Sequence, residues 1–187
     1  MIRRSTWILL LIFALLLGFA WYLNRPKPVE PVPDSISEYE SPISLFGDNA
    51  GEVVSFQIKG NEQTVGISRE EGNGWVFTDE THEGAVDQSI AESAASQLTA
   101  LLLIEEKVVI APQYVGLKPP EYEISVKFST GETHTLYIGD ETPSGSGYYV
   151  QLDEGNVAIV DYFGIRSMLS LLDAPPYAPT PTESPSP

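Results

Sequence analysis

Tyr122-Glu-Ile-Ser-Val-Lys-Phe-Ser-Thr-Gly-Glu-Thr-His-Thr-Leu-Tyr-Ile138 decides the fold. Apolar side chains fall on alternate residues in Tyr122–Phe128 and again in His134–Ile138, with a polar turn, Ser129-Thr-Gly-Glu132, between them. A period of two sends successive side chains to opposite faces, so this is a β-hairpin with one buried face. Downstream, the loop Asp140–Gly147 leads into Tyr148-Tyr-Val-Gln-Leu152, and the turn Asp153-Glu-Gly-Asn156 leads into Val157-Ala-Ile-Val160. The period then lengthens. From Asp161 to Leu172 the apolar residues Phe163, Ile165, Met168, Leu169 and Leu172 follow helical spacing behind an acidic cap.

The same plan precedes it. Val53–Ile58 and Gln63–Ile67 alternate around Lys59-Gly-Asn-Glu62, and Trp75-Val-Phe77 is a third short strand. Val86, Ile90, Ala94, Leu98, Leu101 and Leu102 then form a helical stripe, expected to end near Ile104. Its cap is Asp87, or Ser89 with Glu92 as a capping box. Lys107-Val-Val-Ile110 is expected to be extended up to Pro112. The reading is an α+β domain of antiparallel β-meanders, each followed by a helix, over residues 36–173. An internal duplication is open at this point, since residue identity between the halves is low.

The flanks are of another kind. Trp7–Leu23 runs without a charge, and with its polar neighbours reaches about 30 Å as a helix, the thickness of a bilayer core. Trp7 and Trp21-Tyr22 stand where interfacial aromatics belong. The expectation is an uncleaved transmembrane anchor over 7–23 behind a short tail, 1–6, rather than a signal peptide cut after Ala20. Arg3 and Arg4 favour a cytoplasmic N-terminus and an extracytoplasmic domain at the cell membrane. Residues 24–35 read as a Pro-rich linker and 174–187 as a disordered Pro/Thr/Ser-rich tail, and most of the 15 prolines fall in these two segments.

Ten Lys/Arg against 26 Asp/Glu give −16, and beyond Leu23 the balance is 8 against 26. A chain this acidic is not built to bind nucleic acid, whose backbone needs clustered cations. Zero cysteines exclude disulfides and thiol catalysis.

Trp75-Val-Phe, Val86-Asp87 through Leu102, Tyr114-Val-Gly-Leu-Lys-Pro-Pro120, Leu136-Tyr-Ile-Gly139, Pro143-Ser-Gly145, Tyr148-Tyr-Val150 and Val157–Val160 come in a familiar order. Over roughly 53–172 the chain resembles the bacterial family known as domain of unknown function 4340. The resemblance implies a membrane-anchored protein, in some members associated with ABC-type export or gliding-type transport, and it carries no catalytic residues with it.

Chemistry-bearing residues are sparse. Asp79, His82 and Glu83, with Asp87 behind them, could hold a divalent cation through imidazole and carboxylate groups, but the spacing fits no standard metal motif. An acidic loop at a helix N-terminus explains the same residues. Ser144 and Ser146 with His134 and Asp140 contain the residue types of a hydrolase triad without the nucleophile elbow. Gly139, Gly145 and Gly147 match no nucleotide fingerprint. Glu121/Glu123 could serve a glycosidase, yet among 26 acids such pairs are unavoidable. Tyr114, Tyr122, Tyr137, Tyr148 and Tyr149 crowd the second meander and serve either as an interface or as cover for the sheet's core face. The expectation is a non-catalytic binding or scaffold domain with no cofactor, tethered to the membrane by its N-terminal helix and engaging an envelope protein. A small-ligand or cation-binding domain and an envelope hydrolase are the alternatives.

Overall fold

A computed structural model describes Leu15, residues 43–47, 49–72, 74–79 and 81–179. The expected anchor (7–23) apart from Leu15, the linker (24–35) and residues 180–187 of the tail lie outside the described residues. Among the described residues no helix is long and apolar enough to cross a membrane.

The strands are β1 (Ile43–Ser44), β2 (Val53–Gly60), β3 (Gln63–Glu70), β4 (Gly74–Phe77), β5 (Leu102–Glu105), β6 (Tyr122–Phe128), β7 (Thr133–Glu141), β8 (Gly147–Leu152) and β9 (Val157–Asp161). Helix α1 (Gln88–Thr99) follows β4, and α2 (Tyr162–Asp173) follows β9. Among the described residues all nine strands join one antiparallel sheet in the order β1-β5-β9-β8-β7-β6-β2-β3-β4. The two meanders meet at the centre, where β2 pairs with β6 from Ser55↔Lys127 to Gly60↔Tyr122. The β2–β3 hairpin closes on Asn61 and Glu62, both with positive φ (52° and 66°), the backbone of a two-residue turn that follows the strand twist.

Both helices lie on one sheet face. There Phe56, Ile58, Val65, Ile67, Ile124, Val126, Leu136, Ile138, Val150 and Val160 meet Ala91, Ala94, Ala95 and Leu98 of α1 and Ile165, Met168, Leu169 and Leu172 of α2. Asp87 caps α1, accepting from the Ser89 and Ile90 N–H groups, and Asp161 caps α2 through the Gly164 N–H. Glu92 does not form the alternative capping box; its Oε2 receives Arg69 and Trp75 Nε1 instead. Ile90 and Phe163, expected on the apolar stripes, are exposed.

Three expectations are corrected. Helix α1 stops at Thr99, not near Ile104: Leu101 turns into the core and Leu102–Glu105 become β5, because β9 offers an unpaired edge that a run of consecutive apolar residues can fill. Lys107–Ile110 forms no strand and is held to the sheet by Val108 N–H on Val157 O at 2.7 Å. The tail expected from Ala174 begins with an ordered return, since Tyr177 bridges Val86 and Ala178 N–H bonds Ala85 O.

The segments around the two helices also correspond along the chain. Val86, Asp87, Ser93, Ser96 and Leu98 are matched, at one constant offset, by the identical residues Val160, Asp161, Ser167, Ser170 and Leu172. The two helices are equally long, and the buried positions of α1 recur at the same offset in α2. The strand order is likewise symmetric about the antiparallel β2–β6 seam, with β3 and β4 on one side and β7 and β8 on the other.

Candidate functional site

The sheet's second face, away from the helices, divides in two. On β6 and β2 it presents Glu123, Ser125, Lys127, Gln57 and Lys59, a wet surface. On β7, β8 and β9 it presents Tyr137, Tyr149 and Val157, and the segment between β5 and β6 folds over them. Val115 and Leu117 bury against Val157, with Val108, Tyr137 and Tyr149 packed around. Asp140 N–H holds this segment through Val115 O at 2.9 Å. Gly139 makes the approach possible: a Cβ there would lie 2.0 Å from Val115 O.

The covering segment is itself apolar on its outer side. Val109 is 96% exposed and Tyr114 75%, with Ile110 beside them. Next to it a groove of about 570 Å³ runs between Leu117–Pro120 and Tyr137 on one side and Gln151, Asp153 and Glu154 on the other. The five tyrosines thus separate. Tyr114 is exposed on the cover, Tyr137 and Tyr149 lie half-buried beneath it, and Tyr122 and Tyr148 belong to the opposite, helix-covered face. Tyr148 stacks on Tyr162 at 5.6 Å, and burial pushes its hydroxyl up.

The Asp79–His82 pair sits at the other end of the sheet. Asp79 Oδ2 accepts from Gly66 N–H at 2.9 Å, and Oδ1 accepts from the N–H groups of Thr81 and His82 at 3.0 Å and meets His82 Nδ1. Burial alone would raise this carboxyl, but those hydrogen bonds outweigh it and hold it below its ordinary value. The bonds engage both oxygens, three at Oδ1 and one at Oδ2, and tie the carboxylate to its own turn and to β3. His82 stacks on Phe77 at 5.3 Å, and Glu83 is exposed. Among the described residues no group of three or more His, Asp or Glu side chains could hold a metal ion.

The hydrolase residue types are not assembled. His134 Nδ1 pairs with Asp153 Oδ2 at 2.8 Å, whereas Ser144, Ser146 and Thr142 hydroxyls bond one another. His134 begins β7 and the serines follow its far end, about 23 Å along the strand.

The family model described as Domain of unknown function (DUF4340) matches residues 75–173. The chain belongs to this family. No curated protein and no solved structure matches it. The DUF4340 match opens at Trp75, in β4, and closes at Asp173, the last residue of α2. Strand β4 reaches the rest of the sheet only through β3, so the folding unit includes the β2–β3 hairpin that precedes the match. It also includes Ala174–Pro179, which follows it.

Two features escaped the reading of the sequence. Gln88 uses its side-chain amide as a peptide group: Oε1 accepts from Trp75 N–H at 2.7 Å and Nε2 donates to Trp75 O at 2.9 Å, closing the outer edge of β4. The cover over Tyr137 and Tyr149 was the other. Its signal was present in Tyr114-Val-Gly-Leu-Lys-Pro-Pro120, whose Val115 and Leu117 alternate toward one side.

Proposed function

We propose that the chain is a membrane-tethered, non-catalytic binding domain whose recognition surface is the apolar cover on the second sheet face. The carrying observation is the exposure of Val109, Ile110 and Tyr114 together on a segment pinned to the sheet from below. Large apolar side chains grouped on a surface mark interaction sites, and tyrosine is enriched at interface cores. Acidic groups border the patch: Glu105 and Glu106 precede the cover, and Asp153 and Glu154 wall the adjoining groove. The complementary partner is a protein surface with an apolar centre and a basic rim.

Membrane tethering rests on the uncharged run Trp7–Leu23, and the direction of the tether on Arg3 and Arg4. The resemblance, which in some members goes with ABC-type transport, makes an envelope transport assembly the setting proposed for the partner. The high negative charge keeps such a domain off anionic lipid head groups.

The test is site-specific photocrosslinking in intact cells, with the reactive residue at Val109 or Tyr114 and, as control, at Lys127 on the polar half. A discrete membrane-protein adduct from the first two and not the third supports the reading. Equal labelling at all three, or none, refutes it. A reporter fused after Pro187 that is active only in the cytoplasm would overturn the extracytoplasmic placement.

A further inference from the structure

After α2 the chain does not leave the domain. Ala174–Pro179 turns back along Gly84–Asp87, the segment leading into α1. Asp87 N–H bonds Pro176 O and Ala178 N–H bonds Ala85 O, each at 2.8 Å, on either side of the Val86↔Tyr177 bridge. The Tyr177 ring rests on Phe77 at 5.0 Å and on His82 at 5.9 Å, with Gly84 against its edge.

We propose that this edge is a peptide-acceptor site for an extended, proline-flanked tyrosine segment, filled in cis by the chain's own Pro176–Pro179 and open to the same segment of a second copy. Three observations carry it. Recognition combines main-chain pairing with an aromatic ring laid on Phe77 and His82, the chemistry by which an extended backbone edge takes up a strand. The ligand is pre-organised, because Pro175, Pro176 and Pro179 favour an extended chain and lower the cost of ordering it.

The third observation is the correspondence of the segments that flank the two helices. The offset that carries Val86 onto Val160 also carries Leu103 onto Tyr177, so the segment takes at Val86 the place that β5 takes at Val160. Strand β5 brings Leu102, Leu103 and Ile104 and is flanked in turn by β1. The C-terminal segment brings prolines, which lack the N–H needed to extend a ladder. It therefore holds a strand position with two main-chain bonds and one ring that remains 45% exposed. Such a strand exchanges where β5 does not.

The first test uses the full chain and a synthetic peptide of residues 174–187. Tyr177→Ala in the chain, or Ala178→Pro, which removes one main-chain donor and leaves the ring, opens the site. Each opened chain is expected to bind the peptide saturably, and the unaltered chain at least about tenfold more weakly, because the tethered segment competes at millimolar effective concentration. A peptide carrying Tyr177→Ala is expected to lose about tenfold or more. A folded opened chain that shows no saturable binding up to about 1 mM peptide overturns the proposal.

The second test needs no variant. In the unaltered chain the Ala178 and Asp87 amides should exchange with solvent at least about a hundredfold faster than the Leu103 amide. Protection of Ala178 equal to that of Leu103 would show a fixed strand and overturn the proposal as well.

Discussion

Asp79→Asn tests whether a single carboxylate finishes the β3–β4 ladder. Backbone pairing between these strands extends from Glu70↔Gly74 to Ile67↔Phe77 and ends with Thr78 N–H on Gly66 O. The Gly66 N–H then faces Asp79 Oδ2, while Oδ1 gathers the next two amides and the His82 ring. The Asp79 side chain is 7% exposed and that of His82 12%, so water is a poor substitute. Asparagine keeps one carbonyl oxygen for Thr81 and His82 and sets an amide NH₂ against the Gly66 N–H. Losing a charge-assisted bond is worth about 1.5–3 kcal/mol, and leaving the donor unpaired falls at the upper end of that range. The expected loss is about 2–3 kcal/mol at pH 7, read by urea denaturation followed by far-UV circular dichroism. The pH dependence has a definite sign. Hydrogen bonding outweighs burial and lowers the folded-state pKa beneath the ordinary 3.8, so the carboxylate's stabilisation is complete above that value and lost as pH falls through the folded pKa. The gap between the two proteins must therefore narrow in acid. A variant within about 0.5 kcal/mol of the original at pH 7, or a gap that widens as pH drops, refutes the reasoning.

Gly139→Ala should cost about 2–3 kcal/mol and expose the 106–120 cover to limited proteolysis, because its Cβ would meet Val115 O at 2.0 Å and Gly116 C at 2.9 Å. Gln88→Ala should cost about 1–2 kcal/mol in thermal or urea unfolding by stranding the Trp75 N–H and C=O, and the freed edge should show as concentration-dependent association in size-exclusion chromatography. Asp153→Asn should cost less than about 1 kcal/mol, since its bond to His134 is half-exposed, and that cost should vanish in acid. Burial raises the Asp153 carboxyl, but His134 and the Thr135 N–H outweigh it and lower its pKa, so the stabilisation is lost as pH falls through the folded value.

Strands β2 and β6 were legible because each has one wet face. Ile124, Val126 and Phe128 alternate with Ser125 and Lys127, and period two permits no other assignment. The cap of α2 was legible in Asp161, whereas for α1 both Asp87 and the Ser89–Glu92 capping box fitted the sequence and the structure takes Asp87. Leu101–Ile104 failed because an unbroken apolar run satisfies helix and strand alike, and the choice was made by an edge on β9, which lies in the other half of the chain. That the two meanders share one sheet also depended on a distant pairing, β2 with β6, which local pattern does not encode. The tyrosines do not share one face for a geometric reason: Tyr148 and Tyr149 are adjacent in a strand and therefore face opposite ways. For Ala174–Pro179, composition predicted disorder, and the segment is ordered by main-chain bonds that composition does not reveal.

The sheet's margins explain why the exchange site lies where it does. An open edge invites pairing with other chains, and proteins close such edges by short strands, bulges or covering groups. One margin ends in the two-residue β1 beside a register shift between Leu103 and Glu105. At the other, the Gln88 side chain occupies both the N–H and the C=O of Trp75 and so blocks β4. Val86 needs covering too, because it is buried and belongs to the core beneath α1. The corresponding position before α2 shows what full closure looks like, since Val160 is covered by β5. At Val86 the cover is Tyr177 and its prolines, beyond the last residue of the family match. Of the two equivalent positions, the one closed by the weaker ladder is the one from which a strand can leave and to which another can come.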